Sequence, residues 1–212
     1  MSIGHTVVLL PGFDDSSAQT TALKAALDDV AQVLTPDITV GTTTTVTLEE
    51  PALRVLDTIA TAGMDRAMLV GHGWGTMVAL QVAATHEELV AALMLSTNAR
   101  LETMLVRSIY YGLLNLLPAA IVEQLGARPP DVLNLLDRVR PADFRSLAER
   151  VPAPALVVVG EQDVANRGPS ATLAGSLPLG NLRVVPHAGA GWRSQQPQVV
   201  AELLVEFMSS LA

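Results

Sequence analysis

The sequence predicts an α/β domain of three layers, with helices on both faces of a doubly wound, mostly parallel sheet, and with a helical cap insertion. Short apolar runs alternate with longer segments whose apolar residues recur at helical spacing. That order is typical of parallel strands joined by crossover helices. One block, at about residues 98–150, is helical throughout and punctuated by prolines. We therefore expect a single domain over residues 1–212, with this block as a cap.

The first half of the chain carries the clearest alternation. Its first apolar run is short and continuous, as in a parallel strand that is buried on both faces. In its second helix, Leu53, Leu56 and Ile59 share the helical spacing of a core-facing stripe. The strands expected here are residues 6–10, 38–40, 67–70 and 89–95, and the helices are 17–34, 48–62 and 76–85.

After the cap the alternation resumes, with strands expected at 155–159 and 181–185 and a final helix through Val199 and Phe207. The cap itself presents a broad apolar surface. This surface would pack on the domain, while part of it could form a lid over an apolar pocket, with Tyr110 and Tyr111 offering hydroxyl groups to a ligand. Any exposed remainder could join two copies as a homodimer.

Composition excludes several classes of function. A formal charge of −8 disfavours nucleic acid as a partner, and the scattered basic residues indicate no anionic membrane surface. Cysteine is absent, and the four histidines lack zinc-ligand spacing, so we expect neither a metal site nor a cofactor. The start has no basic leader, and the most apolar long stretch is too short to span a bilayer. These features predict a soluble, cytoplasmic protein.

The segment Gly71-His72-Gly73-Trp74-Gly75 follows a predicted strand and opens a predicted helix. That context is required of a nucleophile elbow, in which flanking glycines allow a sharp turn and the middle residue projects above the sheet. The same residues are compatible with an ordinary glycine-rich turn. A dinucleotide-binding loop is disfavoured, because a threonine follows Gly75 where the third glycine of that motif would be needed.

Three other strand ends carry polar or glycine-rich loops at the same edge of the sheet, where ligands bind in open α/β folds. The loop after the first strand could supply backbone N–H groups to half of an oxyanion hole, or simply cap the next helix. Asp163 comes after the strand expected at residues 155–159. It could orient a histidine or belong to a polar turn. The loop of residues 186–192 contains His187 and follows the last strand.

Taken together, the four loops resemble the α/β-hydrolase superfamily along nearly the whole chain, especially its esterases, thioesterases, lactonases and C–C hydrolases. The resemblance implies a minimal α/β-hydrolase fold. The nucleophile elbow of that superfamily reads Gly-His-Ser-x-Gly, which matches residues 71–75 except at Gly73. Its histidine loop reads Pro-x-Ala-Gly-His before a Gln-Pro pair, which aligns without a gap and places the histidine at Ala190.

The resemblance implies a degenerate catalytic triad. Gly73 and Ala190 stand at the nucleophile and histidine positions, and Asp163 is the retained acid. His187 could act as a substitute base oriented by Asp163, or lie in solvent.

The resemblance further implies an oxyanion hole from the backbone N–H groups of Phe13 and Trp74. His72 would turn down into the packing, with a catalytic role as the alternative.

Three functions follow from this interpretation. The protein could bind a small, mostly apolar carbonyl or ester-type compound under the cap and be inactive, or catalyse a cyclisation, elimination or isomerisation that needs only oxyanion stabilisation. It could instead be a carboxylic-ester or thioester hydrolase disabled by substitution at Gly73 and Ala190. Finally, it could be a non-catalytic binding or interaction protein that uses the fold as a scaffold.

Overall fold

A computed structural model describes residues 6–12, 15–39, 47–96 and 144–211 of the chain. In this part of the chain, six parallel strands form one sheet in the order β2-β1-β3-β4-β5-β6. The sheet confirms the doubly wound α/β class. The strands are β1 (Thr6–Leu10), β2 (Gln32–Leu34), β3 (Ala67–His72), β4 (Val90–Ser96), β5 (Ala155–Gly160) and β6 (Gly180–Val185).

Helices cover both faces of the sheet, because alternate residues of each buried strand point to opposite sides. One apolar cluster lies between the sheet and helices α2 to α5, and the other lies between the sheet and helices α1, α6 and α7. The helices are α1 (Ser17–Asp28), α2 (Glu49–Thr61), α3 (Trp74–Thr85), α4 (Phe144–Ala148), α5 (Val164–Ser176), α6 (Trp192–Gln195) and α7 (Pro197–Ser210).

Three sequence expectations about the first half were wrong. The helix expected over residues 17–34 ends at Asp28, and Gln32–Leu34 is the strand β2, whereas Ile38 is buried outside any strand. A strand of three residues is too short to show its period of two, so Val33 continued the helical spacing by coincidence. In α2, Leu53 is 63% exposed, because the buried stripe runs through Val55 and Ile59 and leaves Leu53 on another side.

A cap was expected at residues 98–150. Residues 98–143 of that range lie outside the described residues, and these include Tyr110 and Tyr111. Of the range expected for the cap, the described residues include the short helix α4, whose Leu147 and Ala148 belong to the apolar core. None of the helices in the described ranges combines the length and the apolar composition that crossing a bilayer requires.

Candidate functional site

The turn between β3 and α3 places Gly73 at the carboxyl edge of the central strands. Gly73 has φ 48° and ψ −110°, a backbone conformation that side-chain-bearing residues rarely adopt. The flanking glycines are required by close packing: a Cβ on Gly75 would lie 1.9 Å from the carbonyl oxygen of Leu10, and one on Gly71 would lie 2.8 Å from that of Gly75. The turn is therefore as sharp as the glycine spacing predicted.

Trp74 is the first residue of α3, and its indole is 2% exposed. The indole Nε1–H donates to the carbonyl oxygen of Ile38 at 3.0 Å. The side chain therefore belongs to the core and fixes the segment after β2 against the start of α3, so any contact with a ligand comes from the backbone. Asp37, next to Ile38, accepts hydrogen bonds from Thr39, mainly from its side chain and also from its backbone N–H. These bonds lower the pKa of the Asp37 carboxyl.

Sequence reasoning missed a buried serine beside the elbow. His72 and Ser96 are register partners at the ends of β3 and β4, and His72 Nδ1 lies 2.9 Å from Ser96 Oγ, with both residues buried. The Ser96 carbonyl oxygen accepts hydrogen bonds from the Gly73 N–H and from Thr76 Oγ1, each at 3.0 Å. His72 is buried, as expected. The signal for Ser96 was available as a hydroxyl that ends the apolar strand β4.

Asp163 is 7% exposed and caps the N-terminus of α5. Its Oδ1 accepts from the backbone N–H of Asn166 at 3.3 Å, and its Oδ2 accepts from Asn166 Nδ2 at 2.6 Å. Both carboxylate oxygens are therefore engaged by the first turn of α5. This arrangement corresponds to the polar turn that the sequence also allowed.

The loop after β6 directs His187 to the surface. His187 has φ 58°, and its side chain is 90% exposed. Its backbone N–H donates to Glu161 Oε2 at 2.8 Å, and its Nδ1 lies 3.8 Å from the same oxygen. The carboxylate beside His187 is thus that of Glu161, whereas the sequence suggested Asp163. Ala190, three residues further on, is exposed.

The loops after β5 and β6 are packed on each other through their backbones. A Cβ on Gly160 would lie 2.3 Å from the Ala188 carbonyl oxygen, and the same oxygen accepts from the Gln162 N–H at 2.8 Å. Only glycine fits at position 160 without displacing this contact. The two loops that the resemblance assigns to acid and histidine are therefore held together.

An ion pair links the loop after β1 to α6. Asp15 Oδ2 accepts from the Gly12 N–H at 2.7 Å, and Asp15 Oδ1 accepts from Arg193 Nη2 at 3.0 Å. The two charged side chains are only 14% and 13% exposed. Sequence reasoning had no local signal for this pair, because its members are 178 positions apart. Phe13 lies outside the described residues.

Arg193 borders two small clefts among the described residues. One is bordered by Pro11, Asp15 and Gln19, and the other by Ser96, Val158 and Trp192. Within the described ranges, no three histidine, aspartate or glutamate side chains are grouped closely enough to hold a metal ion. The described polar groups at this edge of the sheet include the buried Ser96–His72 pair, the paired Arg193 and Asp15, and the Asp163 carboxylate.

Comparison with known proteins agrees with this architecture. A model of the "Alpha/beta hydrolase family" matches residues 7–203. No curated protein matches the sequence.

Several solved structures share the fold at low sequence identity. A thermophilic esterase from Thermogutta terrifontis is 20% identical, with a TM-score of 0.72, over 100% of this chain and 92% of that one. The enol-lactonase from Burkholderia xenovorans LB400 is also 20% identical, with a TM-score of 0.69, over 97% and 92%. A carboxylesterase structure from the Thaumarchaeon Nitrososphaera gargenis is 12% identical, with a TM-score of 0.76, over 99% and 91%.

Proposed function

Since the chain belongs to the alpha/beta hydrolase family, we propose that it binds a small, mostly apolar carbonyl compound at the carboxyl edge of its sheet and does not hydrolyse esters through a Ser-His-Asp triad. Esterases and an enol-lactonase among the structural neighbours act on carbonyl compounds by their names, which supports this ligand class. The cap, with Tyr110 and Tyr111, would close over the ligand.

The observation that carries the proposal is the backbone of Gly73. Its positive φ lies between two glycines whose packing leaves no room for a Cβ, which is the setting of a nucleophile elbow, yet Gly73 offers no attacking atom. Ala190 offers no imidazole. Loss of both nucleophile and base lowers kcat by roughly 10⁶-fold in a serine hydrolase, and the oxyanion hole and binding retain about 10³-fold over water.

The remaining machinery suits reactions in which negative charge develops on a carbonyl oxygen. Backbone N–H groups of Phe13 and Trp74 would stabilise that charge without any proton transfer. Cyclisation, elimination or isomerisation of the ligand can use such stabilisation, with solvent water taking or returning any proton that the reaction moves. A ligand that is bound but not converted would make the protein a binding module on the same scaffold.

One observation favours the second candidate, a hydrolase disabled at positions 73 and 190. Gly73 keeps a positive φ, the conformation from which a nucleophile elbow displays its middle side chain. Asp163 also stays at the acid position, although its oxygens serve α5.

The experiment combines binding with restoration. Binding of short-chain ketones and lactones is measured by thermal shift on the unchanged chain, where saturation at 100 Kd raises stability by about 2.7 kcal/mol. Hydrolysis of p-nitrophenyl butyrate is then compared between Gly73→Ser/Ala190→His and the matched control Gly73→Ala/Ala190→His, which has the same backbone strain but no nucleophile.

We expect binding by the unchanged chain, with ester turnover no faster than that of the Gly73→Ala control. A large gain in the serine variant alone would favour the disabled hydrolase, and no gain would favour a repurposed site. Absence of binding across the whole panel, or fast turnover by the unchanged chain, would overturn the proposal.

A further inference from the structure

The proposed function assigns no role to the side chains of His72 and Ser96. A serine hydroxyl at 2.9 Å from an imidazole nitrogen has the contact that activates serine nucleophiles. Both side chains are buried at the edge of the sheet where ligands bind in open α/β folds. Two apolar residues would fill neighbouring strand ends without the cost of desolvating two polar groups, so the pair needs an explanation beyond packing.

Ser96 holds the turn after β3 through its backbone carbonyl oxygen. The hydrogen bonds that fix the elbow, from the Gly73 N–H and from Thr76 Oγ1, both end on the Ser96 carbonyl oxygen. The Ser96 hydroxyl contributes to neither bond. Its side chain can therefore be removed while the anchoring of the turn is kept.

Ser96 is also at the surface of a cleft. The cleft is bordered by Val158 and Trp192, which are apolar, and by the guanidinium-bearing Arg193. A short acyl group would find apolar contacts there, and Arg193, which is paired with Asp15, borders the same cleft. The cleft has a volume of about 250 Å³ including space open to solvent, so a short acyl chain fits this site better than a long one.

From this geometry we propose that Ser96 is an acyl acceptor and that His72 is its base, for short-chain carboxylic esters. The Ser96 Oγ attacks the ester carbonyl carbon while its proton passes to His72 Nδ1. The tetrahedral intermediate then breaks its bond to the leaving oxygen, which takes the proton from His72 Nδ1. The products are an acyl ester on Ser96 and the free alcohol.

The reaction needs the His72 tautomer that carries its proton on Nε2, because Nδ1 must accept. It is separate from the vacant elbow, since it uses neither Gly73 nor Ala190. It rests on the proposed function only in that a carbonyl compound must reach this edge of the sheet.

The test is acetylation of the whole chain by p-nitrophenyl acetate, quenched in acid and mapped by peptide mass spectrometry. We expect one acetyl group on Ser96 and none there in Ser96→Ala. His72→Gln keeps a hydrogen-bonding partner for the hydroxyl but removes the base, and should slow acetylation of Ser96 by about 100-fold or more. The control Ser209→Ala removes an exposed hydroxyl on α7 and should change nothing.

Two further measurements keep the outcomes apart. Unfolding curves of Ser96→Ala and His72→Gln identify any loss that comes from folding, and thermal shift with an unreactive ketone on Ser96→Ala reports ligand binding by itself. Ketone binding without acetylation of Ser96 would overturn this inference and leave the proposed function standing. Acetylation of Ser96 at an unchanged rate in His72→Gln would equally overturn the assigned pair.

Discussion

The substitution Gly75→Ala tests whether the sharp turn depends on contact between α3 and β1. Gly75 is the second residue of α3, so helix propensity alone predicts that alanine stabilises the protein by about 1 kcal/mol. The tertiary contact predicts the opposite. The new Cβ would lie 1.9 Å from the Leu10 carbonyl oxygen and 2.5 Å from its carbonyl carbon. These atoms belong to the backbone of a buried central strand, which has no flexible end to move aside.

The magnitude follows from how far the backbone must move. Real Cβ contacts are essentially never shorter than 3.0 Å, so α3 and β1 must separate by about 1 Å over a packed interface. Overpacking of a core costs about 1–3 kcal/mol, and a rigid backbone places Gly75→Ala near the upper end. For a chain of this size, about 3 kcal/mol corresponds to a Tm lower by about 6–12 °C.

The assay is thermal and urea unfolding of Gly75→Ala beside a matched control, Gly175→Ala. Gly175 is also helical, in α5, but a Cβ there would meet nothing within 4 Å. The control should be neutral or more stable by up to about 1 kcal/mol, because only propensity acts. A Gly75→Ala protein as stable as the unchanged chain would refute the close-packing argument and, with it, the interpretation of this turn as an elbow.

Two other substitutions test contacts around the site. Asp163→Ala should destabilise the protein by about 1 kcal/mol, because the N-terminus of α5 loses its cap. Asp163→Asn keeps an acceptor for the Asn166 N–H and should destabilise the protein less. Equal urea midpoints for the two variants would contradict the capping role of Asp163. For the ion pair, a double-mutant cycle of Asp15→Asn and Arg193→Met should give a coupling energy of about 1–2 kcal/mol that changes little in high salt, because the pair is mostly buried. A coupling energy near zero would show that the loop after β1 does not depend on α6.

The fold class could be predicted because it is carried by short-range patterns. Continuous apolar runs identified β1, β3, β4 and β5, since a parallel strand that is buried on both faces needs apolar residues at every position. The same rule fails for β2, which has only three residues and one buried side chain. Tertiary pairing with β1, rather than local pattern, makes that segment a strand.

The candidate site divides in the same way. By itself, the sequence determined the glycine-rich turn and its apex at Gly73, because the spacing of glycines is local and the conformation it allows is local too. Only the tertiary structure decided that Ser96 meets His72, that Arg193 meets Asp15, and that Glu161 is the carboxylate beside His187. These pairs depend on strand register and on how distant loops close over one edge of the sheet, and neither is encoded in the spacing of residues along the chain.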